Sequence, residues 1–220
     1  MRSAPYAKII SLGQACDAAN QIRRIFDQTE AYPFDWLVTP YDGLVAMIER
    51  RFADFLDEGN LEVERRGVLD TRYKVRLLHD FKDKHAFRQT LPEVKAKYLR
   101  RIERFDAILG AGGPILFVRS QQYDDADVVD EGRARRLLAL LRRTFPDTPI
   151  DLLVQNPTAA GIPEVIEGGL WLLRLDPPDP FNWKGDPVGW ETLFRRVLES
   201  ASGPDGRHPS ADAPRAATPR

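Results

Sequence analysis

Sulfur is scarce in this 220-residue chain, which carries one cysteine, Cys16, and two methionines. A lone cysteine excludes an intramolecular disulfide framework and fits a reducing compartment. An excess of one charge is also missing, since 32 Lys and Arg stand against 33 Asp and Glu. The net charge of −1 leaves no electrostatic case for nucleic acid or an acidic membrane surface. No apolar run approaches the length of a membrane-spanning helix, and the first residues lack the charged-then-apolar pattern of a cleaved leader. The expectation is a cytoplasmic protein without a membrane span. Histidine is rare too, with only His79, His85 and His208. His79, Asp80, Asp83 and His85 are metal-ligand types, but their spacing matches no recognised site, so no metal is expected.

What is present suffices for a core: 43% of the residues are hydrophobic, over a length that suits one domain. Strands are predicted at 9–12, 61–66, 73–78, 115–118 (running on into Arg119-Ser120), 150–154 and 170–175. Helical spacing covers 16–26, 41–56, 91–109, 131–144 and 190–200. In the long helix Val94, Tyr98, Ile102, Phe105 and Leu109 point inward, and Lys95, Lys97, Arg100, Arg101 and Arg104 form an outward, solvated face. Strands alternating with helices predict an α/β fold, a single-domain three-layer sandwich with a mostly parallel central sheet. The domain is expected over 1–202; residues 203–220 have almost no bulky apolar side chain and are expected to be disordered.

In such sheets ligands bind beyond the carboxyl ends of strands. Cys16, His79 and Arg119-Ser120 each follow a predicted strand end. Gly13 permits a tight turn before Cys16, which then stands at a helix start, where unpaired amides favour a thiolate. The plain alternative is a small, inert core residue. A cysteine nucleophile needs a base and a group to orient that base. His79, fixed by a strand end, suits the base better than His85 in its polar run. Asp35, in the apolar stretch Pro33-Phe34-Asp35-Trp36, and Asp80, beside His79, are the candidate orienters, with Asn156 a weaker third. The Cys16 amide and Gln14 are natural donors to an oxyanion. Gly13, Gln14, Trp36 and Arg119 make up the candidate oxyanion and substrate contacts.

Ser11-Leu12-Gly13-x-x-Cys16 with Ala19, then Tyr32-Pro33-Phe34-Asp35-Trp36, then Leu78-His79-Asp80-Phe81, together resemble the signature of a bacterial papain-like cysteine peptidase family whose name records a predicted activity. Tyr98, Arg101-Ile102-Glu103-Arg104-Phe105, Leu116-Phe117-Val118-Arg119 and Asn182-Trp183-x-Gly185-Asp186 with Trp190 also fit, so the resemblance runs over roughly residues 7 to 200. It implies Cys16 as nucleophile, His79 as base and Asp35 or Asp80 as orienter. The strand leading into Cys16 is also similar to the nucleophile placement of SGNH-type hydrolases. A cysteine-dependent polysaccharide acetyltransferase family has a similar outline. The expected activity is therefore a Cys-dependent hydrolase of peptidase or amidase type, acting on a peptide or an acylated small molecule or saccharide without a cofactor. Acetyl-CoA or another acyl thioester is the donor in the alternative acyltransferase reading. A third reading is a non-catalytic binding or scaffold domain, with Trp183 and Trp190 forming a carbohydrate or partner surface.

Overall fold

The structure, a computed structural model, describes residues 5–121, 127–176 and 182–202. The tail expected to be disordered and the centre of the acidic loop, 122–126, lie outside the described residues. Five strands make the main sheet in the order β1-β6-β7-β9-β8. These are β1 (Lys8–Ser11), β6 (Ile115–Ser120), β7 (Ile150–Asn156), β9 (Leu170–Arg174) and β8 (Val165–Glu167). The first four run parallel, and β8 adds an antiparallel edge.

Alternation along each strand divides the core into two layers. Ile9, Leu116, Val118, Leu153, Trp171 and Leu173 face one side, where α1 (Asp17–Phe26) and α5 (Pro187–Ala201) contribute Ile22, Trp190 and Phe194. Ile10, Ile115, Phe117, Leu152, Val154 and Leu172 face the other. There α2 (Tyr41–Glu49), α3 (Phe87–Gly110) and α4 (Glu131–Thr144) cover the sheet. A strand buried on both faces cannot alternate polar with apolar, which is why these strands read as continuous apolar runs.

A second, antiparallel sheet has the order β2-β5-β4-β3. It consists of β2 (Leu37–Val38), β3 (Leu61–Glu64), β4 (Gly67–Asp70) and β5 (Val75–Leu77). The sequence reading contains no β2, β4 or β8: each is short, and β2 is a two-residue pairing with Leu37 opposite Leu77 and Val38 opposite Arg76. The helix expected over 41–56 stops at Glu49. Beyond it Arg51, Phe52, Asp54 and Leu56 take left-handed φ values of 51° to 62°, turning the chain so that Phe52 and Leu56 still reach the core. The long helix starts earlier than expected, at Phe87, whose ring is buried in the core.

Candidate active site

The site begins where β1 ends. Leu12 still donates its amide to Val118 of β6 at 2.7 Å, and then the chain leaves the sheet. Gly13 (φ 71°) and Gln14 (φ 56°) are both left-handed, which turns the backbone sharply into α1. A side chain at Gly13 would meet the Phe34 carbonyl and the Thr39 hydroxyl, each at 3.1 Å, so the turn is pressed against the 34–39 segment. Cys16 is the residue capping α1, buried at 6% exposure, and its side chain makes no capping hydrogen bond.

The two-residue pairing of β2 with β5 brings the second sheet to this point. Antiparallel register carries the chain leaving Leu77 back alongside the segment that precedes Leu37. Leu78, His79 and Asp80 therefore leave the ladder at the end where Asp35 and Trp36 enter it. The charges of Asp17, Asp35 and Asp80 all act on the Cys16 thiol.

Burial, then those three carboxylates in turn, push the thiol up to about 12. This reverses the expectation that the helix start would favour a thiolate. The position is as expected, but the next residue takes the benefit. The amides of Asp17 and Ala18 draw down the Asp17 carboxylate, which burial nonetheless raises to about 6. Ser120 donates to that carboxylate at 2.5 Å.

The other two carboxylates differ in how they are held. Asp80, with its side chain 3% exposed, receives the Lys97 ammonium at 2.5 Å and the Tyr98 hydroxyl at 3.0 Å. Among the described residues Asp35 accepts only the Tyr32 amide, at 2.9 Å. Among those residues no cation pairs with it directly, although Arg23, Arg101 and Arg104 act on it from further away. Burial outweighs them and pushes Asp35 up to about 7.

His79 is exposed and makes no hydrogen bond or ion pair among the described residues. In the bend that follows β5 it is Asp80 that turns inward, to Lys97 and Tyr98. His85 is exposed as well, with its amide on Asp83. Gln14 is buried beside Cys16 in sequence. Trp36 is half-buried, with the Arg23 guanidinium 5.2 Å from its ring centre. Arg119 is fully buried and turned inward to the carbonyls of Leu12 and Thr39 and to Asp127 at 2.8 Å. Those bonds make it a clamp on the backbone under the site. Asn156 donates to Val129, at the end of β7. Trp190 is buried against Phe194, which removes the expected surface pair with Trp183.

Sequence reasoning missed Asp17, Arg23, Lys97 and Arg101. The last two were expected on a solvated face of α3, yet Lys97 pairs with Asp80 and Arg101 stacks 5.0 Å from the Tyr98 ring centre. The available signal was spacing: Lys97, Arg101 and Arg104 fall at i, i+4 and i+7, one stripe that borders inward-facing Tyr98 and Phe105. Among the described residues no group of three or more His, Cys, Asp or Glu is arranged to hold a metal ion.

A doubly covered, mostly parallel sheet, with a cysteine capping the helix after its first strand, defines an α/β protein. The chain belongs to the family described as "Putative papain-like cysteine peptidase (DUF1796)", whose sequence model matches residues 7–143. That span holds Asp17, Asp35 and Asp80, whose charges act on Cys16, and stops short of the 182–190 segment that the sequence resemblance included. A protein of Acanthamoeba polyphaga mimivirus, described as uncharacterized, is 27% identical over 135 residues, which is 51% of this chain and 60% of the viral one. The chain thus matches about three fifths of that relative's length. No solved structure matches. Among the described residues no helix is long and apolar enough to cross a membrane.

Proposed function

We propose that this protein is a cysteine-nucleophile hydrolase of the peptidase or amidase type, with Cys16 attacking the substrate carbonyl. The observation that carries this reading is that Cys16, in the turn beyond the carboxyl end of β1, stands within the field of Asp35, a buried carboxyl held at about 7, on the segment that presses against Gly13. A group with that affinity can both take and return a proton at neutral pH. In the attack the sulfur–carbon bond forms as the thiol proton passes to the Asp35 carboxylate. The oxyanion is received by the Cys16 amide. Collapse expels the amine, which takes the proton back from Asp35, and leaves a thioester on Cys16. Water activated by Asp35 then hydrolyses the thioester and restores the thiol.

His79 is the second candidate for the proton, favoured by one observation: it is an imidazole one residue from Asp80 that no described residue bonds. It serves only if the turn after β5 folds over Cys16. The test is release of a fluorescent amine from a panel of N-acyl peptide amides by wild type, Cys16→Ala, Asp35→Asn and His79→Ala, with acetyl-CoA run as an alternative acyl donor. Release that needs Cys16 and falls about a hundredfold or more without Asp35 supports the reading. A greater loss in His79→Ala moves the proton to the imidazole. Cys16-dependent consumption of acetyl-CoA alone makes the protein an acyltransferase. No activity above Cys16→Ala on any donor removes the catalytic reading.

A further inference from the structure

Four cations surround the Asp35 and Asp80 side of the site, and two of them are already used. Lys97 holds Asp80, and Arg104 donates to the Ala31 carbonyl at 2.5 Å. The other two, Arg23 on α1 and Arg101 on α3, make no hydrogen bond or ion pair among the described residues. Each has a buried nitrogen without a partner, Nε of Arg23 and Nη1 of Arg101. Each guanidinium lies over an aromatic ring, Arg23 at 5.2 Å from the centre of Trp36 and Arg101 at 5.0 Å from that of Tyr98.

Leaving buried guanidinium donors unpaired is costly, and native structures tolerate it mainly where a ligand or water completes the set. Asp35 does not complete it. Its carboxylate shares a cavity with Arg23, Ser11 and Tyr32 but forms no ion pair with either arginine. The remaining carboxylates nearby are committed elsewhere: Asp80 to Lys97 and Tyr98, Asp17 to Ser120, and Glu30 to Lys8. Arg23 lines one cavity with Asp35 and lies over the ring of the next residue, Trp36, while Arg101 lies over Tyr98, whose hydroxyl bonds Asp80, so the free donors flank the two carboxylates nearest the nucleophile. Planar forks held on aromatic rings suit a carboxylate.

We infer that Arg23 and Arg101 form a carboxylate-binding subsite beside Cys16, making the substrate an acidic peptide or amide. This rests on the hydrolase reading for the word substrate, but the binding itself does not depend on it. The carboxylate comes either from a peptide's C-terminus or from an acidic side chain, and the two sources are separable.

The test is calorimetric titration of the full chain carrying Cys16→Ala, so that binding is measured without turnover. N-acetylglutamine offers only an α-carboxylate, N-acetylglutamic α-amide offers only a side-chain carboxylate, and N-acetylglutamine amide is the neutral control. At least one acid is expected to bind about tenfold or more tightly than the control. Which acid wins names the source. Arg101→Gln and Arg23→Gln should each remove that preference, and Arg101→Lys should restore part of it. Circular dichroism identifies any variant that fails to fold, and the other arginine then decides. Acids no tighter than the neutral amide, or a preference that survives both Gln substitutions, overturns the subsite. Either result is independent of whether wild type releases amine from peptide amides, so the two readings fail separately.

Discussion

Lys97 and Asp80 lie 2.5 Å apart, ammonium to carboxylate, and this contact from α3 distinguishes Asp80 from Asp35, the other carboxylate at the end of the β2–β5 pairing. One of them is neutralised by a cation in contact; Asp35 is not. Replacing Lys97 by Met leaves Asp80 with the Tyr98 hydroxyl alone. Because the Lys97 side chain is 34% exposed, the expected loss of stability is modest, about 1–2 kcal/mol. The unopposed Asp80 charge should also push the thiol further up and slow alkylation of Cys16. Urea unfolding and iodoacetamide kinetics check both, and faster alkylation in the variant counts against the pairing.

Cys16 itself should be a slow thiol in the free protein. Held at about 12 against 9.0 for an unperturbed thiol, it carries roughly a thousandfold less thiolate at neutral pH than an exposed cysteine. Its alkylation rate should keep rising well past the point where a free thiol levels off. Asp35→Asn removes one of the three charges and should shift the profile downward. A wild-type profile that levels off at or below the ordinary thiol range would show that the helix start dominates after all.

Asp35 should make the fold weaken as pH rises. Its native value of about 7 lies above its ordinary 3.8, so between those values the native state holds the proton more tightly than the unfolded chain does. Stability is then greatest below about 4, falls through the interval and levels off above 7, by an amount on the order of 4 kcal/mol. Asp17, raised to about 6, adds a slope of the same sign at the lower end. Asp35→Asn should be more stable than wild type at about pH 8 and nearly equal at about pH 4. Denaturant midpoints across that range decide, and equal curves would refute the burial argument.

Arg119→Leu should unfold the protein more readily without selecting among substrates. It removes the partner of Asp127 and the donors to Leu12 and Thr39 from a fully buried position. A broken buried pair costs about 3–5 kcal/mol. The measurement is the thermal midpoint. A normal midpoint with a raised KM would instead return Arg119 to the substrate contacts.

The central sheet was legible because strands buried on both faces leave continuous apolar runs, and β6 and β7 are such runs. The helix at 131–144 was legible to the residue, since Asp130 caps it and receives the Arg133 amide. The second sheet was not, because Leu37–Val38 is too short to show a period and its pairing with Leu77 and Arg76 is a tertiary fact. That same pairing is what takes Asp80 to the nucleophile. Sequence could nominate Cys16, Asp35 and Asp80 one by one from their local surroundings. It could not show that Asp80 would turn to Lys97 and Tyr98, leaving His79 outside, because that choice depends on where α3 lies.

The burial and surrounding negative charge at Cys16 also bear on how the protein ages. Peroxide oxidises thiolates, and one that is 6% exposed and almost wholly protonated presents little to attack. A resting solution should accumulate neither sulfenic acid nor disulfide-linked pairs of chains at the rate of a surface cysteine. The arrangement that makes this thiol slow to react also protects it from damage between encounters.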